Sequence, residues 1–123
     1  MIIALNHKSN FTKKEFLSYL TNYKALNNYN HDLLLFPSSC YFPLITNIIF
    51  GSQDVSCYQE GSYTGEISAK AIKSLGATYT LINHSERLTK LNETLDISKK
   101  KLAQALSNNL IPIICIGDTK EEH

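Results

Sequence analysis

The stretch EISAKAIKSLGATYTLINHSER, residues 66–87, changes its hydrophobic period once and then stops on polar residues. Ile67, Ala71, Ile72 and Leu75 recur at helical spacing, which places them on one face of a helix read over 64–76. Gly76 stands where a helix stop belongs, because it takes a left-handed backbone without a Cβ clash. Residues 77–84, ATYTLINH, then read as a strand that carries His84 to its tip. Ser85, Glu86 and Arg87 follow at once. A strand that only fills a core has no need of that ending, whereas a reaction site does.

The same alternation extends in both directions. Residues 2–6, IIALN, read as a first strand. Thr12 and Glu15 then have capping-box spacing at a helix start, and Phe16, Leu17, Leu20 and Tyr23 are expected to share its inner face. DLLLFP, 32–37, is apolar throughout, as a strand covered on both faces should be, and Pro37 ends it. A short helix is expected over 41–47. IIFGSQDV, 48–55, reads as a third strand broken by Gly51. LDISKKKLAQALSNN, 95–109, is a helix carrying Leu95, Leu102 and Leu106 on one side, and LIPIICIG, 110–117, is a fifth strand. Strands alternating with helices in this way indicate right-handed βαβ units and a parallel sheet.

Composition sets the outer bounds. The chain has 123 residues, 43% of them hydrophobic and 19% charged, enough to bury one core over residues 1–123. Its net charge of +1, with no basic run interleaved with aromatics, excludes an electrostatic nucleic-acid or anionic-membrane binder. The densest basic cluster, SKKK at 98–101, reads as a solvated helix face. The apolar run at 2–5 is too short for a signal core or a membrane span. Cys40, Cys57 and Cys115 are odd in number and widely spaced, which fits a soluble chain in a reducing compartment, without a zinc site or disulfide framework. After strand five, Thr119 and Glu122 repeat the capping-box spacing and the sequence ends at His123. A helix announced and interrupted leads us to expect the N-terminal piece of something longer.

In parallel α/β folds the carboxyl ends of strands carry the chemistry. Strand one ends at Asn6, His7 and Lys8, strand three near Gln53, and strand four at Asn83 and His84. Each of these has an ordinary reading: a surface lysine, an asparagine closing a turn, a histidine capping the next helix. Together, Asn6, Lys8 and His84 offer an amide, a cation and an imidazole at one rim. His7 points the opposite way along the strand and reads as structural or exposed. His31 reads as a loop residue. The histidines lack metal-ligand spacing, and Glu60, Glu66 and Glu86 stand at no clear strand end.

The residues also carry a resemblance. YQEGSYTGEIS followed by INHSER is similar to the third loop and fourth strand end of the triosephosphate isomerase family. ALNHKSN is similar to its first-strand Asn-x-Lys motif, and IPIICIGDTKEE to its fifth strand and following helix. The motifs keep the family's order and span the chain. This resemblance implies a (β/α)8 TIM-barrel fold, which takes roughly 250 residues, so the chain would be an incomplete half-barrel of about five parallel strands. It implies interconversion of dihydroxyacetone phosphate and glyceraldehyde 3-phosphate through an enediol(ate), in cytoplasmic glycolysis and gluconeogenesis, with no metal and no cofactor. It makes Asn6 and Lys8 substrate-binding, Lys8 and His84 catalytic, and Ser85 and Glu86 supporting. The N–H groups that open the following helix would keep the imidazole of His84 neutral. Thr64 would tip a loop that enters a second subunit of a homodimer, with Glu66 and Arg87 paired across that interface. Three positions depart from the pattern: Asn83 replaces the usual glycine, Leu88 a second arginine, and His7 an often aromatic residue. The family's glutamate base and phosphate lid match no residue of the chain, which is therefore expected to be inactive alone. A non-catalytic half-barrel that assembles with other chains is the alternative, and an open doubly wound binding domain is a third reading.

Overall fold

The computed structural model describes residues 1–26 and 32–117, without the side chains of 24–26. The elements in chain order are β1 (Ile2–Asn6), α1 (Lys13–Leu26), β2 (Asp32–Phe36), a 3-10 turn (Ser39–Leu44), β3 (Gly51–Ser52), α2 (Ala69–Ser74), β4 (Tyr79–Ile82), α3 (Ser85–Lys90), α4 (Leu95–Ser107) and β5 (Ile111–Ile114). The readings at His31 and at Thr119 and Glu122 fall outside the described residues.

Every strand pair is parallel: β1 with β2, β3 with β4, and β4 with β5. A Leu35–Phe50 bridge, with the Leu35 N–H donating to Ile49 O at 3.3 Å, places β3 beside β2. Each strand therefore lies next to its predecessor. A doubly wound sheet reverses its order at a switch point. This sheet does not, and the doubly wound reading is set aside in favour of barrel-type winding.

Alternation along β2 divides the core. Leu35 points into a large cluster with Phe16, Phe42, Phe50 and Ile72, under the helices. Leu34 and Phe36 point to the other face and meet Leu81. Burial on both faces explains why β2 and β4 read as unbroken apolar runs. The edge strands differ: Ile2, Ile111 and Ile114 are exposed, and Ile116 just past β5 is 91% exposed.

Local chemistry fixes the helix ends. Thr12 and Glu15 form the reciprocal capping box, with the Thr12 N–H donating to Glu15 Oε2 at 2.7 Å and the Glu15 N–H to Thr12 Oγ1 at 3.4 Å. Phe16, Leu20 and Tyr23 are buried as expected, but Leu17 is exposed, because it sits one position off that stripe. α2 is shorter than its pattern suggested. Ser68 caps it by accepting from the Ala71 N–H at 3.1 Å, so Ile67 lies before the helix and is exposed, as is Leu75 at its end. Gly76, with φ +98°, ends it as read.

Two expectations fail for non-local reasons. Gly51 does not break strand three, because it is a paired residue of β3, opposite Tyr79. A Cβ there would lie 2.5 Å from the Phe36 ring and 2.6 Å from Tyr79 O, so the glycine allows close strand approach. Gly51→Ala is expected to destabilise the chain by about 1–3 kcal/mol through overpacking, measured as a lower urea midpoint. In α4, Leu95 and Leu106 are exposed and the inward stripe is Ser98, Lys101 and Ala105. The SKKK cluster is thus not wholly solvated: Lys99 and Lys100 are exposed, and Lys101 is buried.

Candidate active site

The strands deliver their C-terminal ends to one rim, where a cavity of about 490 Å³ is lined by Asn6 and Lys8 after β1, Gln53 after β3, and His84, Glu86 and Arg87 after β4. Sequence reading brought Asn6, Lys8 and His84 together, and the structure places all three on this cavity.

At Lys8 the chain turns sharply. Its φ is +56°, a left-handed conformation unusual for a residue with a side chain, and such strain costs on the order of 1–3 kcal/mol. Asn6 Oδ1 accepts the Lys8 N–H at 2.9 Å, so the side chain of Asn6 helps set the turn. The Lys8 ammonium donates to Glu86 Oε1 at 2.6 Å. That hydrogen bond holds the Glu86 carboxyl below the usual carboxylate range. Glu86 therefore stays an anion beside the cation and is a poor proton acceptor. Lys8 and Glu86 lie 78 residues apart, so spacing alone could not have paired them.

His84 is the N-cap of α3. Its backbone is extended, and its Nδ1 accepts the Glu86 N–H at 3.2 Å. The Nδ1 lone pair is used in that bond, and in the neutral ring the proton sits on Nε2, which can donate. The nearer Glu86 carboxylate oxygen is 3.8 Å from Nδ1, beyond hydrogen-bond reach. Glu86 thus serves twice, with its N–H orienting the imidazole and its carboxylate holding the ammonium. Ser85 lies in the same first turn and is exposed. Asn83, the residue before, has φ +64°. Asparagine is among the few residues besides glycine that enter this region readily. Its amide also donates to Cys115 O at 3.1 Å, tying β4 to β5.

Behind the cavity lies an ion network that sequence reading missed. Lys101 donates to Asp54 Oδ1 at 2.8 Å and to Glu93 Oε2 at 2.7 Å. Arg87 Nε donates to Glu93 Oε2 at 2.6 Å, and its Nη2 lies 3.2 Å from Asp54 Oδ2. Burial pushes the Asp54 carboxyl up, against the pull of Lys101 and Arg87. Burial would also raise Glu93, but donors from Lys101, Arg87 and Ser98 outweigh it and hold that carboxyl down. The network ties the loop after β3 to α3 and α4, and so supports the segment that carries His84.

The segment between β3 and α2 forms a closed loop. The Ser56 N–H donates to Ile67 O at 3.0 Å, and the Ser56 hydroxyl to Glu66 Oε1 at 3.2 Å. Tyr58 and Tyr63 stack with ring centroids 4.1 Å apart, and Thr64 is exposed beside Gly65, whose φ is +89°.

His7 is buried, at 8% exposure, among Phe11, Phe16 and Tyr19, and among the described residues neither ring nitrogen has a hydrogen-bond partner. Burial lowers its pKa below the ordinary value of 6.5. As pH falls through 6.5 the unfolded chain takes up a proton and the folded chain resists, so stability is lost in that window. His7→Phe is expected to remove a slope of at most about 1.4 kcal/mol per pH unit below pH 6.5, read from urea unfolding between pH 5 and 7.

The family model "Triosephosphate isomerase" matches residues 1–123. The chain is 38% identical over 128 residues to triosephosphate isomerase of Clostridium botulinum, covering 98% of this chain and 52% of that one. It is 35% identical over 137 residues to the enzyme of Mycoplasmopsis pulmonis, covering 100% of this chain and 55% of that one. The crystal structure of triosephosphate isomerase from Bartonella henselae superposes with a TM-score of 0.88 at 33% identity, over 98% of this chain and 53% of that chain. The chain thus spans about half the length of the curated relatives it matches. The family model matches the whole sequence and a solved relative shares the fold, and the chain belongs to the triosephosphate isomerase family.

Proposed function

We propose that residues 1–123 supply the electrophile and the cation of a triosephosphate isomerase site. The observation that carries this reading is the Lys8–Glu86–His84 arrangement, in which one residue holds both reacting groups at one cavity. In the reaction a base removes a proton from C1 of dihydroxyacetone phosphate, and the C2 carbonyl oxygen gains negative charge. The proton is returned at C2, the hydroxyl proton passes from the C1 oxygen to the C2 oxygen, and C1 becomes the aldehyde of glyceraldehyde 3-phosphate. His84 Nε2–H donates to the oxygen that becomes negative, Lys8 stabilises that charge and draws the phosphate, and Asn6 keeps Lys8 turned toward the substrate. Among the described residues on the cavity, Glu86 is committed to Lys8, Asp54 is held by Lys101 and Arg87, and Glu66 accepts from Ser56, so none of these three carboxylates is poised as the base. The 123-residue chain alone is then inactive. Homodimerisation through the Thr64 loop, an intersubunit Glu66–Arg87 pair, and a cytoplasmic role in glycolysis and gluconeogenesis complete the proposal.

A chimera tests it: residues 1–123 joined to the part of the Clostridium botulinum relative beyond its matched half. Isomerase turnover by this folded chimera is the expected result. A chimera that folds, by circular dichroism and cooperative unfolding, but shows no turnover would overturn the reading.

A further inference from the structure

We propose that Gln53 is a positioning residue for Lys8, its side-chain amide holding the lysine's peptide in the left-handed turn that sets the ammonium on the cavity. The inference rests on the function proposed above. Gln53 Nε2 donates to Lys8 O at 2.7 Å and to Phe36 O at 3.0 Å. An amide NH2 has two hydrogens, and both are used here to bind the tip of β1 to the end of β2. Ser38 Oγ adds a longer bond of 3.3 Å to the same Lys8 carbonyl. With Asn6 holding the Lys8 N–H at 2.9 Å, the peptide groups on both sides of this residue are fixed by side chains.

This bracing answers a specific need. A lysine at φ +56° leaves that region unless its surroundings over-determine it. Without the amide, the carbonyl can rotate and the lysine relax toward an ordinary backbone. Its ammonium would then move away from the substrate oxygen and from Glu86. Gln53 has no charge to offer a substrate, and both amide hydrogens are directed at backbone, so its contribution passes through Lys8.

The test uses the active chimera. Gln53→Met keeps the length of the side chain and removes both donors. kcat/KM is expected to fall roughly ten- to a hundredfold, the scale of a misplacement near 1 Å. The Kd for glycerol 3-phosphate, an unreactive analogue, is expected to rise several-fold in the same variant. In a Lys8→Met background, Gln53→Met should leave that Kd unchanged, since the group being positioned is gone. Unchanged kcat/KM in Gln53→Met, or an equal rise in Kd with and without Lys8, would overturn the inference while the parent chimera's activity upholds the functional reading. If Gln53→Met does not fold, Ser38→Ala removes the weaker bond to the same carbonyl. A few-fold fall in kcat/KM is then expected, and no fall overturns the proposal. A folded parent chimera without turnover removes the reading itself, and this inference with it.

Discussion

Lys101→Met is expected to destabilise the folded chain by about 3–5 kcal/mol, the cost of removing one partner from a buried ion pair. The side chain of Lys101 is 5% exposed and that of Glu93 is 3% exposed, so neither charge has water to fall back on. Without the ammonium, Glu93 keeps only Arg87 and the Ser98 hydroxyl, at 2.6 and 2.9 Å, against the burial that already pushes its carboxyl upward. The loss has a pH signature. In the native chain the Glu93 carboxyl is held down, so its stabilisation is present above the ordinary value of 4.5 and is lost as pH falls through the folded value. In Lys101→Met that loss moves to higher pH, because burial is less opposed. Urea midpoints from pH 4 to 7 measure both effects. Lys99→Met, on the exposed face of the same helix, is the control and should change stability by less than about 0.5 kcal/mol. An equal effect of the two substitutions would show that the network does not anchor α4.

His84→Phe in the chimera is expected to lower kcat by roughly 10²–10³-fold, the scale of removing one donor to a developing oxyanion. The substitution keeps a ring of similar size and deletes both nitrogens. It also deletes the acceptor for the Glu86 N–H, an N-cap whose loss costs about 0.5–2 kcal/mol. Stability should therefore fall modestly while turnover falls steeply. The Kd for glycerol 3-phosphate should change little, because Lys8 and its pairing with Glu86 remain. A variant that weakens binding and turnover in the same proportion would assign His84 to binding rather than to the chemical step.

Where the sequence was legible, the information was local. The Thr12–Glu15 box, the stop at Gly76 and the apolar runs of β2 and β4 each depend on residues a few positions apart. Strand ends follow from strands, so Asn6, Lys8 and His84 were legible in the sequence as groups at one rim. What was not legible depends on distant partners. Gly51 looks like a break until Phe36 and Tyr79 are packed against it. Lys101 looks solvated until Asp54, 47 residues earlier, turns the other side of α4 inward and leaves Leu95 and Leu106 exposed. The amide of Gln53 looks idle until the Lys8 carbonyl is seen in front of it, and Glu86 gains its double role only when β1 and β4 share a rim. The exposure of β1 and β5 likewise reflects their place at the sheet edges, which their residue types do not announce.

In the function proposed here the chain supplies the electrophile and the cation of an isomerase site, and no carboxylate lining the cavity among the described residues serves as its base. The most direct measurement is triose phosphate turnover by the purified chain, prepared from a host lacking its own isomerase. No rate above buffer is expected. Turnover at the rate of a complete enzyme would contradict it, because some residue of this chain would then be the base.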